Sequence, residues 1–483
     1  MLSGATQHPL RLLAIISLAV FIWRLVVVQA LGITLYIDEA QYWTWAQDLE
    51  WGYFSKPPGV ALLIAASTAL FGDGILGVKA LAMLCYIASA WLVRAIALRL
   101  FDAETAFWSA IAMLTLPMFG WLGLFVSTDA LLTLFWLAAL LAFQRALKGD
   151  AWRDWLAVGL LCGLGLLSKY TMIAWLLAAL LYLAVFDRAR LRGAKPWAAA
   201  LLALLVLSPN LIWNVVNDFP TLRHTAEITV AKRAAGGLAS LGEFLAAQWI
   251  AFGPVLGSVC LLLLAGGRAI WREPRYRLLL WFALPLWIVV SVQAFKTSAN
   301  ANWAAPAFAP AAIAVVAWLL QRQWRQLLAA GLALNLLLVG VVYHWPQLLA
   351  LAGAESARLD PYARARGWDQ VGRQLQPLFA AHPGAVLVAD NRTVMAHLLY
   401  ELRELDPPAA SWDPQRSKAD HYKLSTDLNR YKGRDLIFVT RETPPDFAPH
   451  VEASARIATL KAPLAGSRSF DVQVYLLREF KGY

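Results

Sequence analysis

From Tyr36 to Pro58 the chain reads YIDEAQYWTWAQDLEWGYFSKPP. It sets an acidic pair, Asp38 and Glu39, and a lysine, Lys56, among Tyr36, Tyr42, Trp43, Trp45, Trp51, Tyr53 and Phe54. A carboxylate there can act as general base toward a hydroxyl. A lysine can hold a departing phosphate as a point charge, and aromatic faces suit a sugar ring or a prenyl chain. The stretch directly follows an apolar run, in a chain where only 15% of residues are charged, so its charges call for a reason. A plain interfacial loop, anchored by Trp and Tyr with its charges solvated, is the competing reading. The loop by itself leaves the two balanced.

Other polar residues fall at the ends of apolar runs: Ser127-Thr128-Asp129, Ser168-Lys169-Tyr170, Asn210 and Asn214 with His224 beyond, and Lys296, Asn300, Asn302 and Trp303. Each has a structural alternative. Asp38 can cap the helix that follows, Glu39 fits a first-turn acid favoured by the helix dipole, and Asp129 sits where a cap belongs. The lysines can be interfacial anchors, although they lie on the side that the positive-inside rule disfavours. His224 reads as a loop residue, and Asn300–Trp303 as a turn.

The elements that must position these groups are membrane helices. Of 483 residues, 60% are hydrophobic, well above a soluble domain. The net charge of +11 arises from 42 Lys+Arg against 31 Asp+Glu, and its distribution over loops speaks for membrane topology rather than nucleic acid. Candidate spans are Leu12–Leu31, Leu76–Leu98, Ala106–Phe119, Ala130–Leu147, Leu156–Leu167, Met172–Phe186, Trp197–Trp213, Phe244–Leu264, Leu278–Phe295, Ala304–Leu320 and Leu327–Trp345. That makes about eleven crossings by the length rule. Val28-Gln29-Ala30 resembles a signal-peptidase site, but Arg24 interrupts the apolar run, so a retained anchor is expected, with Arg24 facing the bundle interior or reaching a partner. Val60–Phe71 is too short to cross and is expected to pair, as an interfacial helix, with Glu39–Leu49.

Alternate loops carry the basic residues: Arg94 and Arg99; Arg145, Lys148 and Arg153; Arg188, Arg190, Arg192 and Lys195; Arg268, Arg272, Arg275 and Arg277; Arg322 and Arg325. Positive flanks mark the cytoplasmic side. The N-terminus is then inside, and Tyr36–Pro58, the Ser127 turn, Ser168–Tyr170, Asn214–Glu243 and Lys296–Trp303 face outside, as does everything after Trp345. Polar groups on one face suggest a polar cavity at the membrane boundary. Cys85, Cys162 and Cys260 lie in apolar runs without ligand spacing and are read as small core residues.

Two domains are expected: residues 1–345 as the membrane domain, with the external loop 32–75 carrying the acidic pair, and residues 346–483 as an external α/β domain. In the latter, Ala385–Val388, Leu436–Val439 and Val472–Leu477 read as strands and Thr393–Leu402 as a helix.

The order Asp38-Glu39, Tyr53-Phe54-Ser55-Lys56-Pro57-Pro58, Ser127-Thr128-Asp129, Ser168-Lys169-Tyr170, Ser208-Pro209-Asn210 and Asn300-Ala301-Asn302-Trp303 resembles bacterial family 39 glycosyltransferases. These are GT-C membrane enzymes related to dolichyl-phosphate-mannose–protein mannosyltransferases and lipid A aminoarabinose transferases. The resemblance spans Tyr36 to about Trp303 and implies an all-α polytopic bundle with chemistry at the periplasmic face of a bacterial inner membrane. It implies a polyprenyl-phosphate-linked sugar donor and a glycolipid or glycan acceptor. By the same resemblance Asp38 matches the acceptor-activating acid, Glu39 its neighbour, Lys56 the donor-phosphate lysine and Asp129 a second acid. Lys169 and Lys296 are carried over near the donor phosphate, with Tyr36, Tyr42, Tyr53, Tyr170, Asn210, Asn300, Asn302 and Trp303 lining the substrates. Asn214–Glu243 is too short for the trefoil domain of the protein mannosyltransferases, which points away from a protein acceptor. No obligatory metal, no nucleic-acid partner and a monomer are expected. The rivals are a protein O-mannosyltransferase and a lipid-linked-glycan flippase, which would place its polar site near the bilayer midplane.

Overall fold

The computed structural model describes residues 9–231, 236–354, 356, 358–417, 419–464, 466 and 468–483. The chain divides into two compact units. The first comprises residues up to Val26, Ser55–Ser67 and Lys79–Tyr343; the second comprises Val27–Phe54, Thr68–Val78 and His344–Tyr483.

Most of the chain is helical. Among the described residues, seven helices are long and apolar enough to cross a membrane: Pro9–Leu31, Ile75–Leu100, Thr128–Gly149, Lys195–Val216, Pro274–Lys296, Ala301–Gln321 and Arg325–Tyr343. Ala301–Gln321 is almost wholly buried, so it runs through the middle of the first unit. A further pair, Leu238–Phe252 and Pro254–Ala265, is bent by 109° where a single span was expected. Gly253 takes a positive φ of 87° there, and Pro254 cannot supply the N–H that a continuous helix needs. Proline likewise divides the expected span Ala106–Phe119 into helices Ala103–Thr115 and Pro117–Leu122, because the residue before it, Leu116, is pushed to φ −55°, ψ 127°. The stretch expected as a long external loop, Asn214–Glu243, is largely helical, with Pro220–Ala231 and the start of Leu238–Phe252; residues 232–235 lie outside the described residues.

Small residues set the closest helix approach. Gly159 and Gly163, four apart on Trp152–Ser168, face Lys195–Val216. A Cβ on Gly159 would stand 2.4 Å from the carbonyl oxygen of Ala199, and one on Gly163 would stand 2.5 Å from Cβ of Val206. Dispersion between closely approaching backbones is what holds helices together in lipid, where no hydrophobic effect acts between them. Gly159→Ala is therefore expected to cost about 1–3 kcal/mol, because a backbone carbonyl cannot step aside. Thermal unfolding in detergent should show a lowered midpoint, while Gly149→Ala, whose Cβ would meet nothing within 4 Å, should leave it unchanged.

Arg24 is buried inside the bundle, as expected. Its Nε donates to the Tyr343 hydroxyl at 3.2 Å and Nη2 to the Phe119 carbonyl at 2.9 Å. All three cysteines are buried and unpaired.

In the second unit a five-stranded sheet has the order β2-β1-β3-β5-β4, where β1 is Val386–Ala389, β2 Ala409–Ser411, β3 Leu436–Thr440, β4 Ala453–Pro463 and β5 Ser469–Arg478. Strands β2, β1 and β3 run parallel, and β5 and β4 add an antiparallel edge. β1 and β3 are buried along their whole length, as continuous apolar runs demand. Trp412, Phe438, Phe447 and Phe480 form an aromatic core on the sheet. The helix Ile37–Gln47 belongs to this unit; its Trp43 donates to Asp73 at 2.6 Å and meets Tyr400 edge-on at 5.2 Å.

Candidate active site

The candidate residues fall into both compact units, and each set has its own geometry. In the first unit, Ser127 caps the helix Thr128–Gly149 by accepting from the Asp129 N–H at 3.2 Å. With the cap provided by Ser127, the Asp129 side chain is free for another role. It is buried, with Oδ1 accepting from Lys169 Nζ at 2.7 Å and Oδ2 from Asn302 Nδ2 at 2.7 Å. Three segments far apart in sequence thus meet on one carboxylate. Lys169 breaks the helix ending at Ser168 with extended backbone, and Asn302 lies in the short turn Ala301–Ala304. That turn is tied down by Gln248, which donates to the Ala301 carbonyl at 2.9 Å and accepts from Trp287 at 3.0 Å.

Beside it, the Tyr170 hydroxyl donates to Asn210 Oδ1 at 2.6 Å and accepts from Asn214 Nδ2 at 3.3 Å. Asn210 and Asn214 are both buried on the helix Lys195–Val216, one turn apart. Trp303 and Lys56 are partly buried, whereas Lys296 and Asn300 are exposed.

In the second unit the acidic pair divides its roles. Glu39 is buried, and its Oε2 accepts from the Tyr36 N–H at 2.8 Å, closing the N-terminus of the helix Ile37–Gln47. Asp38 instead points outward: its side chain is 51% exposed, with Oδ1 2.8 Å from Nη2 of Arg392. The same guanidinium donates from Nη1 to Gln41 at 2.8 Å, one helical turn along. Beneath lie the aromatics: Tyr42 packs on Trp45 at 5.0 Å, and Trp45 stacks on Tyr53 at 4.5 Å. Tyr53 donates to the Trp45 carbonyl at 2.9 Å, and His421 meets both rings edge-on. Burial pushes the His421 imidazole down to about 4, so it is neutral at pH 7. Tyr36 is partly buried at the helix start.

Sequence reasoning missed Arg392 and Gln41. Asn391-Arg392-Thr393 after an apolar strand reads only as a helix start, and nothing local marks Arg392 as a partner for Asp38. Among the described residues no group of three or more His, Cys, Asp or Glu is placed to hold a metal ion.

Residues 55–213 match the family model described as dolichyl-phosphate-mannose-protein mannosyltransferase. The backbone is similar to the crystal structure of ArnT from Cupriavidus metallidurans bound to undecaprenyl phosphate, with a TM-score of 0.69 at 17% identity over 98% of each chain, which defines a GT-C-type fold. In sequence the chain is 32% identical to the lipid A galacturonosyltransferase RgtD of Rhizobium johnstonii over 401 residues, covering 81% of this chain and 82% of that protein. It is also 30% identical to the undecaprenyl phosphate-alpha-4-amino-4-deoxy-L-arabinose arabinosyl transferase of Pseudomonas aeruginosa over 251 residues, 48% of this chain and 45% of that one. The chain belongs to the family 39 glycosyltransferases and is a multi-pass membrane enzyme.

Proposed function

We propose that this enzyme moves a sugar from a polyprenyl-phosphate donor to lipid A or a related glycolipid at the periplasmic face of the inner membrane. The likeness to a lipid A galacturonosyltransferase across four fifths of both chains supports this reading most directly. Transfer is a single inverting displacement. The acceptor oxygen bonds to the anomeric carbon as the bond from that carbon to the phosphate oxygen breaks, and the electron pair leaves with the lipid phosphate. The acceptor proton passes to Asp38, the exposed carboxylate. Lys56, Lys169 and Lys296 supply charge for the phosphate; an ammonium has three donors, and in Lys169 one serves Asp129. Tyr36, Tyr42, Tyr53, Tyr170, Asn210, Asn300, Asn302 and Trp303 line donor and acceptor, and Glu39 holds the helix that carries Asp38.

The chain crosses the membrane eleven times in this proposal. Beyond the seven long helices and the bent pair, the broken pair Ala103–Leu122 and the helices Trp152–Ser168 and Tyr170–Phe186 make the remaining three. A helix of 17 residues spans roughly 25 Å, which a locally thinned bilayer accommodates. The N-terminus is then cytoplasmic, residues 1–345 form the membrane domain and residues 346–483 the periplasmic one. The enzyme works as a monomer and without an obligatory metal.

Purified protein incubated with lipid A and radiolabelled undecaprenyl-phosphate galacturonic acid or undecaprenyl-phosphate 4-amino-4-deoxy-L-arabinose should yield labelled lipid A, and EDTA should leave the rate unchanged. Donor movement across vesicles without labelled product would establish a flippase instead. Loss of transfer in EDTA, restored by a divalent cation, would overturn the metal-free scheme.

A further inference from the structure

We infer that Arg392, from the C-terminal α/β part of the chain, is a positioning residue that holds Asp38 for proton abstraction; the inference rests on the proposed role of Asp38. A carboxylate half exposed on the first turn of a helix is free to rotate about χ1 and χ2, and a general base so mobile is rarely aligned with its substrate. Arg392 removes that freedom. Its guanidinium bridges one turn of the helix Ile37–Gln47, donating from Nη2 to Asp38 Oδ1 and from Nη1 to Gln41 Oε1, both at 2.8 Å. Both bonds are needed for the constraint: Gln41 is buried and orients the fork, and the fork then fixes one oxygen of Asp38. Asp38 Oδ2 has no hydrogen bond to any described residue and is left for the acceptor hydroxyl.

The support behind Arg392 is rigid. It begins the helix Arg392–Glu401, directly after β1, and the preceding Asn391 caps that helix by accepting from the Thr393 and Val394 N–H groups at 3.1 Å. Asn391 Nδ2 donates to Asp390 Oδ1 at 3.1 Å, and Asp390 Oδ2 accepts from the Thr440 hydroxyl of β3 at 2.7 Å. Hydrogen bonds therefore run from two central parallel strands, through the helix cap, to the carboxylate assigned as base. The carboxyl ends of parallel strands are where open α/β sheets place functional groups. Here that edge serves a site whose own residues lie on a different segment, more than three hundred positions earlier.

The test uses the full-length enzyme in detergent with undecaprenyl-phosphate galacturonic acid as donor and lipid A as acceptor, or the aminoarabinose donor if that one is turned over. Arg392→Ala is expected to lower kcat about 10- to 100-fold, the cost of a mispositioned reacting group, with donor KM and the unfolding midpoint near wild type. Arg392→Lys, which keeps the charge but not the fork, should fall between the two. Gln41→Ala should lower kcat in the same direction, and adding it to Arg392→Ala should cost almost nothing more, since both act through one bridge. Wild-type kcat in Arg392→Ala alongside an inactive Asp38→Asn would overturn the positioning role while leaving the base intact. Turnover by Asp38→Asn at the wild-type rate would remove the base itself. A drop in Arg392→Ala traced wholly to unfolded protein or lost donor binding would also refute the inference. If that variant does not accumulate, Arg392→Lys and Gln41→Ala decide it, and undiminished kcat in both refutes it.

Discussion

Asp38→Asn is expected to lower kcat for sugar transfer by about 10²–10⁴-fold, the range contributed by a positioned general base. The amide has nearly the shape of the carboxylate and can still accept from Arg392, so geometry is preserved and only the capacity to take a proton is lost. Folding should be nearly unaffected, because the residue is half exposed and its ion pair is worth roughly 1 kcal/mol or less. The contrast with its neighbour makes the prediction specific. Glu39 is buried and closes the helix start, so Glu39→Gln should act mainly on stability, whereas Asp38→Asn should act on turnover alone. The comparison needs initial rates at saturating donor, with size-exclusion profiles and unfolding midpoints recorded for both variants. Wild-type turnover by Asp38→Asn would remove it from the mechanism.

Asp129→Ala should be the most destabilising single change among the candidate residues, at about 3–5 kcal/mol. The carboxylate is buried, and its loss strands the Lys169 ammonium, which is only 17% exposed, and leaves the Asn302 amide without its acceptor. The double variant Asp129→Asn with Lys169→Met removes both charges together and should recover most of the stability, because a buried pair contributes little over a neutral filling of the same volume. Recovery of folding without recovery of transfer would assign the pair to catalysis. Recovery of both would assign it to structure only. Thermal unfolding in detergent and the lipid A labelling assay, run on the single and double variants, separate these outcomes.

Much of this was readable from residue types alone. Charge is so costly in lipid that Arg24, Asp38, Asp129 and Lys169 stand out for that reason, whereas Lys79, wholly buried in the helix Ile75–Leu100, escapes notice within its apolar run. Apolar runs long enough to span give the long helices to within a few residues, and the apolar runs Ala385–Val388 and Leu436–Val439 give the central strands Val386–Ala389 and Leu436–Thr440 to within one residue. The strand Ala453–Pro463 was not visible, because it lies at the sheet edge, is largely exposed, and shows no clear apolar alternation. The three-residue β2 is too short to leave any pattern. The breaks at Pro117 and at Gly253-Pro254 carried a legible cause, since both residues end helices, but an apolar run around them masked it.

What the sequence by itself determined is the inventory: a membrane bundle with a few boundary charges of the types that acid–base and phosphate chemistry need, in a recognisable order. What only the tertiary structure decided is the pairing. Asp129 chose Lys169 and Asn302, Glu39 turned inward to its own helix, and Asp38 was left outside for Arg392. Hydropathy and turn chemistry act over a few residues and are written locally, whereas a side-chain hydrogen bond forms wherever folding brings two groups within 3 Å. Arg392 lies 354 positions from Asp38, and no local pattern encodes a distance of that kind.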